Sequence, residues 1–338
     1  MKKVDVEAHF YTNAYLKALK ENKGYPKFVE DQKNKSRRLW YTKEVRQPFA
    51  DPLLEALLDH GGGRLRRMDA SGVDVQILSL SAPGVEQLDP AVATPVARDA
   101  NNALAEIIRR HPDRFMGFAA LAPKRPKQAA DELERCVKDL GLVGWNTHAH
   151  YGDSYLDEKK YWPILERAEK LNVPVYLHPT VSAVSQLTKY GFPLAGTPFG
   201  FGFEVVLCLM RMIYSGIFDE FPRLVVILGH LGEGLPFVME RIDWAFMRPF
   251  DPSLRPKISK KPSEYLKSNI FVTTSGNYYE PAFRCTYEAM GIDRILLATD
   301  YPYEDTDDCM RFLQRIHLTD QEKDKIYFLN AKRIGIVS

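Results

Sequence analysis

A closed (β/α)8 barrel of the α/β class is what the sequence predicts, and three observations carry it. Short runs rich in Val, Ile, Leu and Phe recur at 3–9, 74–80, 115–121, 142–147, 173–178, 224–229, 269–274 and 294–299. Several, such as LVVILGH and RILLATD, are nearly continuous apolar runs, as parallel strands covered on both faces require. Segments of helical periodicity lie between them, at 95–110, 126–139, 158–171, 232–247 and 307–316. In 126–139, for example, Ala129, Leu133, Cys136 and Val137 take one side, and Lys127, Asp131, Glu134 and Lys138 the other. An open doubly wound sheet is the alternative, but no strand is followed by the GxGxxG turn such a sheet uses for dinucleotides.

The first strand run is followed by an insertion, residues 10–66, rich in Lys, Tyr, Phe and Trp, expected near the barrel mouth. The fifth is followed by a long loop, 179–200. Long loops after barrel strands line or cover the site. Neither has a linker composition, so residues 1–338 are expected to form one barrel domain.

Bulk properties exclude several classes. With 46 basic and 44 acidic residues the net charge is +2, so neither nucleic acid nor an anionic membrane is an expected partner. Cys136, Cys208, Cys285 and Cys309 are widely spaced without CxxC, which argues against disulfides and thiolate zinc. The most apolar stretch, FEVVLCLMRMIYSGIF, is interrupted by Glu204 and Arg211, and no apolar run follows Met1. A reduced, cytoplasmic protein without a membrane span is the expectation.

The chemistry is read from strand ends. Glu7 and His9 stand two residues apart at the end of the first run, and a strand sends alternate side chains to one face. His178, His230 and Asp300 each close a later run. Carboxylates and imidazoles at the C-terminal ends of barrel strands are positioned to hold a catalytic metal. Asn146 and Thr147, not Lys, end the fourth run, so no bridging carbamylated lysine is available and one metal is expected. Glu7, His9, His178 and Asp300 offer two oxygens and two nitrogens, a set suited to Mn²⁺ or Zn²⁺. His148 and His150, in THAHYGDS, form a rival His-x-His, placed in a polar loop beyond the strand and read as supporting or surface residues. His60, His111 and His317 fall in turns or helix ends and are given no role. In GHLGEG, Glu233 lies three residues after His230, near enough to hold it in one tautomer. Arg241, on the next helix, has a planar fork suited to a carboxylate.

These residues sit in segments that resemble the metal-dependent nonoxidative aromatic-acid decarboxylases of the amidohydrolase superfamily. That branch includes γ-resorcylate, 2,3-dihydroxybenzoate and 5-carboxyvanillate decarboxylases and is related to aminocarboxymuconate-semialdehyde decarboxylase. The resemblance covers most of the chain. It rests on the opening E-x-H, RMDASGVDVQILSLSAPGV (67–85), HPDRFMGFAAL (111–121), YLHP (176–179), GIFDEFPRLVVILGHLGE (216–233), SNIFVTTSG (268–276) and ATDYPYE (298–304). It implies an amidohydrolase-type barrel with Glu7, His9, His178 and Asp300 on the metal and His230 and Arg241 facing substrate. Many hydrolytic members open with H-x-H, whereas this chain, like the decarboxylases, has Glu7 in the first place. Residues 10–60 match weakly and are expected to carry much of the substrate choice.

The function expected on this basis is loss of CO₂ from an ortho-hydroxy aromatic acid, giving the phenol, in a homodimer or homotetramer. Asp300 is the candidate proton donor, assisted by His230 and Glu233. Arg241 is expected to hold a carboxylate or ring oxygen, and Phe10, Tyr11, Phe199 and Tyr301 to wall the ring. The competing expectation is a metal-dependent hydrolase or hydratase of the same superfamily, acting on a lactone or ring-cleavage product with His230 as base.

Overall fold

A computed structural model describes residues 1–337 apart from Gln32, Lys35, Pro198 and 249–251. Eight parallel strands appear where the apolar runs predict them: Val4–Phe10, Val75–Leu80, Phe115–Gly117, Trp145–His148, Val175–His178, Val226–Leu228, Ile270–Thr273 and Ile295–Leu296. The first three pair in sequence order, as do the last five. Parallel bridges Ala119↔Trp145 and Ala8↔Tyr301 join the two groups at both edges. At the second junction the Val6 N–H donates to the Leu297 carbonyl (2.9 Å) and the His9 N–H to that of Tyr301 (2.7 Å). The sheet therefore closes on itself, which rules out the open alternative. No described helix is long and apolar enough to cross a membrane.

Two buried clusters show how the layers form. Val6, Ile77, Phe118, Tyr176, Ile227, Phe271 and Ala298 belong to one. They come from seven different strands or strand ends, and only the barrel interior is reachable from all of them. Ala331, Ile334, Ile336 and Val337, near the C-terminus, join this cluster. The larger cluster, including Leu78, Leu104, Leu133, Trp145, Leu165 and Leu209, lies between strands and outer helices.

The first strand departs from simple alternation. Its pairing with the second strand shifts register between Asp5 and Ala8. Val4 and Val6 fall in the interior cluster, but Ala8 and Phe10 fall in the outer one. One extra residue in a ladder exchanges the faces of everything after it. Beyond the shift, Glu7 and His9 take over the inward positions, while Asp5 bonds outside with Gln76 and Thr299.

Residues 10–66 contain what the apolar pattern did not announce: a three-stranded antiparallel sheet of Lys27–Asp31, Ser36–Trp40 and Arg46–Pro48. Its strands read KFVED, SRRLW and RQP and stay largely accessible, so no buried face marks them in sequence. The helix Asn13–Glu21 precedes this sheet; there the Thr12 side chain accepts from the Tyr15 N–H (3.1 Å) and caps the N-terminus. The helices Asp51–Leu58 and Gly62–Ser71 return the chain to the second barrel strand.

Candidate active site

The C-terminal ends of the first, fifth and eighth strands bring Glu7, His9, His178 and Asp300 into one buried group. Their ligand atoms all lie within 4.8 Å of one another. His9 Nε2 is 2.9 Å from Asp300 Oδ1, and His178 Nε2 is 3.6 Å from Glu7 Oε1. Glu7 Oε1 and His9 Nε2 are buried without a hydrogen-bond partner, a costly state for polar atoms that a cation between them removes. The other atoms of these side chains are held in place. His178 Nδ1 donates to the Pro179 carbonyl (2.8 Å), and His9 Nδ1 bonds Ser79 Oγ (3.1 Å). Ser275 Oγ donates to Glu7 Oε2. Fixing one ring nitrogen turns the lone pair of the other toward the cluster. The residues present therefore fit a divalent metal.

Burial and neighbouring groups set the charge of each side chain differently. Burial and the neighbouring Asp300 push the Glu7 carboxyl above its usual range. Burial also opposes charge on Asp300, but the imidazoles of His230 and His9 outweigh it and hold that carboxyl below the usual range. Burial, with His9 and His148 alongside, keeps His178 well below the ordinary imidazole value and so neutral, as a ligand must be.

His230 follows the sixth strand. Its Nδ1 is 2.5 Å from Glu233 Oε1, and its Nε2 is 3.9 Å from Asp300 Oδ2. Burial disfavours the imidazolium, yet Glu233 and Asp300 overcome this and raise the pKa well above the ordinary value. His230, Leu231, Glu233 and Asp300 all have φ between 53° and 58°, and the only other non-glycine residue of this kind among those described is Asn172. Left-handed backbone at non-glycine residues costs energy, and here it gathers at one functional rim. Gly276, at φ 64°, clears the space: a Cβ there would stand 2.6 Å from His230 Cδ2.

Other expectations about this rim need correction. His148 is not in a loop; it is the last residue of the fourth strand, paired in register with His178 and buried beside it. The strand runs one residue further than its apolar pattern suggested, because pairing with the fifth strand continues past Thr147. His150 is buried too, with Nδ1 bonded to the Gly152 carbonyl and Nε2 to that of Val181 (2.8 Å each), so neither nitrogen is available to a ligand. Phe10 is not a ring wall. Beyond the register shift it points away from Glu7 and His9 and packs against His60. Tyr11 lies in the insertion's core, against Tyr15 and Phe49, with its hydroxyl on the Ala82 carbonyl. Phe199 is 55% exposed and stacks on Phe203. Tyr301 lies under the Arg64 guanidinium. Arg241 is exposed on the helix Leu235–Met247, outside the buried group.

The aromatic residues that do reach the group are Tyr303, whose ring meets that of His9 at 5.7 Å, and Tyr176, whose hydroxyl is buried and unpartnered. The sequence signal for Tyr303 was its place three residues after Asp300; Tyr176 was visible as the inward residue two before His178.

Comparison with known proteins places this geometry. The amidohydrolase family model matches residues 4–334. A γ-resorcylate decarboxylase of Rhizobium sp. is 40% identical over 295 residues, covering 83% of this chain and 89% of that protein. The crystal structure of 5-carboxyvanillate decarboxylase from Sphingomonas paucimobilis superposes with a TM-score of 0.89 at 30% identity, covering 100% of this chain and 99% of that one. A dihydroxybenzoic acid decarboxylase from Polaromonas sp., with bound manganese and the inhibitor 2-nitroresorcinol, gives 0.85 at 35% identity over 98% of this chain and 96% of that one. With a match along nearly its whole length, the chain belongs to the amidohydrolase family.

Proposed function

We propose that this protein is a metal-dependent, nonoxidative decarboxylase of hydroxybenzoate-type acids, a carboxy-lyase that releases CO₂ and the corresponding phenol. The buried, mutually oriented Glu7–His9–His178–Asp300 group, with unpartnered ligand atoms at its centre, is the observation that carries the reading. One divalent ion, Mn²⁺ or Zn²⁺, held by these four side chains would supply Lewis acidity to the phenolate and carboxylate oxygens of the substrate.

The barrier explains the remaining residues. Direct loss of CO₂ would leave an aryl carbanion whose electron pair lies in the ring plane and cannot delocalise. Protonating the carboxyl-bearing carbon first avoids that species. Asp300, ionised beside His230 and His9, becomes the donor at that carbon only after taking a proton from the His230 imidazolium, 3.9 Å from its Oδ2, which Glu233 holds in place. Tyr303, against His9, is placed to orient the ring. Phe237 and Trp244, 83% and 57% exposed and seven residues apart on one helix, support assembly into a homodimer or homotetramer, with Arg241 on the same face.

Incubation with γ-resorcylate, 2,3-dihydroxybenzoate and 5-carboxyvanillate in Mn²⁺, following ring absorbance and CO₂, tests the reading. Turnover of at least one acid is expected. Turnover only of an ester, lactone or amide, with solvent oxygen-18 in the product, makes the protein a hydrolase instead.

A further inference from the structure

The one carboxylate that interrupts the most apolar stretch of the sequence has no part in the mechanism above. Glu204 lies in the helix Gly200–Tyr214, whose buried side chains are otherwise apolar, among them Val205, Cys208, Leu209 and Ile213. It is 0% exposed. No described Lys, Arg or His pairs with it; Arg211, two turns on, is bound to Asp157 at 2.9 and 3.0 Å and lies over the Tyr155 ring. Hydroxyls alone answer its two oxygens. Tyr155 donates to Oε1 at 2.6 Å, and Ser182 donates to Oε2. Burying a carboxylate without a cation is costly, and an apolar side chain of similar size would serve the packing better. What the group holds explains it.

Glu204 holds the start of the loop after the fifth strand. From His178 onward the chain is pinned at successive points. The Pro179 carbonyl accepts from His178 Nδ1 at 2.8 Å, and the Val181 carbonyl bonds His150 Nε2 at 2.8 Å. Ser182 Oγ, besides donating to Glu204, accepts the Val184 N–H at 3.0 Å. Thr180, Val181 and Ser182, with Tyr41, Pro83 and His150, line a cavity of about 290 Å³. This cavity borders the metal group. Thr180 is two residues past His178, and Pro83 precedes Gly84, where a Cβ would stand 2.3 Å from His148 Nδ1. The His148 ring is in turn 5.2 Å from that of His178.

We propose that a ring held at the metal extends past His178 into this cavity, and that Glu204 is the positioning residue that fixes the cavity wall through Ser182 and Tyr155. This rests on the decarboxylase reading and deepens it, by assigning the side of the rim that the ring occupies. Glu204 touches neither metal nor substrate. Tyr155 lies in the loop after the fourth strand and Ser182 in the loop after the fifth, so one carboxylate ties two loops of the rim to one helix. With both bonds made, the wall stands ready before the ligand arrives. With them lost, the wall samples other positions, and binding must first restore it. Affinity then falls with the fraction of molecules whose wall is in place, whereas turnover of the saturated enzyme does not.

Titration calorimetry of 2-nitroresorcinol into the Mn²⁺-loaded protein, with steady-state kinetics on the acid turned over best, tests this. Glu204→Met is expected to weaken the analogue and raise KM by about tenfold, the effect of one hydrogen bond of ordinary strength. Its kcat should stay close to that of the wild type, and one equivalent of Mn²⁺ should be retained. Glu204→Gln, which still accepts from one hydroxyl and donates to the other, should recover most of the affinity. Ser182→Ala should reproduce the loss, and it takes the place of Glu204→Met if that variant fails to fold. Unchanged Kd and KM in Glu204→Met or Ser182→Ala, a loss in kcat instead of KM, Glu204→Gln no better than Glu204→Met, or loss of Mn²⁺ overturns the proposal. A wild type that binds no analogue and turns over no acid is the failure of the decarboxylase reading itself, and this proposal falls with it.

Discussion

His9 Nε2 stands 2.9 Å from Asp300 Oδ1, so the first strand and the end of the eighth meet through their side chains at the seam where the barrel closes. The main chain repeats the join one bond away, from the His9 N–H to the Tyr301 carbonyl at 2.7 Å. A cation held at this seam would tie the closure of the fold to the chemistry.

Metal removal is therefore expected to lower thermal stability as well as activity. At free Mn²⁺ a hundredfold above its dissociation constant, binding to the folded state alone adds about 2.7 kcal/mol. Dialysis against chelator should lower Tm by several degrees, and added Mn²⁺ should restore it. Glu7→Gln should abolish that response, read by scanning calorimetry with metal analysis.

Asp300→Asn should retain part of the metal, since the amide oxygen still faces the group, but it cannot deliver the proton. A fall in kcat of about 10²–10⁴-fold is expected. Turnover close to that of the wild type would remove Asp300 from proton transfer.

Gly276→Ala tests the space cleared for His230. The substitution meets left-handed backbone, costing about 1 kcal/mol, and a contact of 2.6 Å to His230 Cδ2. Displacing that imidazole should lower kcat/KM by about a hundredfold, far more than the change in Tm explains. A variant that stays fully active would show that His230 position is not critical.

Arg64 is 0% exposed; it donates to the carbonyls of His9 (2.6 Å), Ala56 (3.0 Å) and Asp59 (2.9 Å) and lies over the Tyr301 ring. Burial lowers its pKa to about 10, still above any working pH. Arg64→Ala leaves three carbonyls unanswered behind the first strand and should cost at least about 3 kcal/mol in urea unfolding. Arg64→Lys should recover little, because one ammonium does not span the positions a planar fork reaches. An unfolding midpoint unchanged by either substitution would contradict this.

Cysteine reactivity separates core from surface. Burial raises the thiols of Cys136, Cys208 and Cys309, the last to about 12, whereas Cys285 is partly accessible. Alkylation of the native protein should modify one cysteine, Cys285, before unfolding exposes the rest. Rapid modification of a second site would show that an outer helix opens.

Much of the fold was legible because apolar runs buried on two faces are distinctive. LVVILGH and RILLATD announce strands wherever they occur, and His178 and Asp300 follow such runs at the rim. The polar sheet of 27–48 carried no such signal; its strands are recognised by their antiparallel pairing, with Phe28 and Leu39 the buried apolar pair among them, not by a continuous apolar run. Phe10 is one residue from His9, so the alternation that puts Glu7 and His9 on one face already puts Phe10 on the other; what nothing in VDVEAHF marks is the register shift at Asp5–Ala8, which lets Glu7 and His9 share the inward face with Val4 and Val6.

Sequence by itself determined the barrel, its eight strands in order, and the identities of the four side chains that gather at its rim, because strand-end chemistry is local. Tertiary structure alone decided which neighbours join them. Tyr303, Ser275 and His148 reach the group through closure, through a hydrogen bond to Glu7 and through strand register. Arg241, whose chemistry was equally suitable, stays exposed. Burial and distance are properties of packed pairs, and one segment read alone contains neither member's partner.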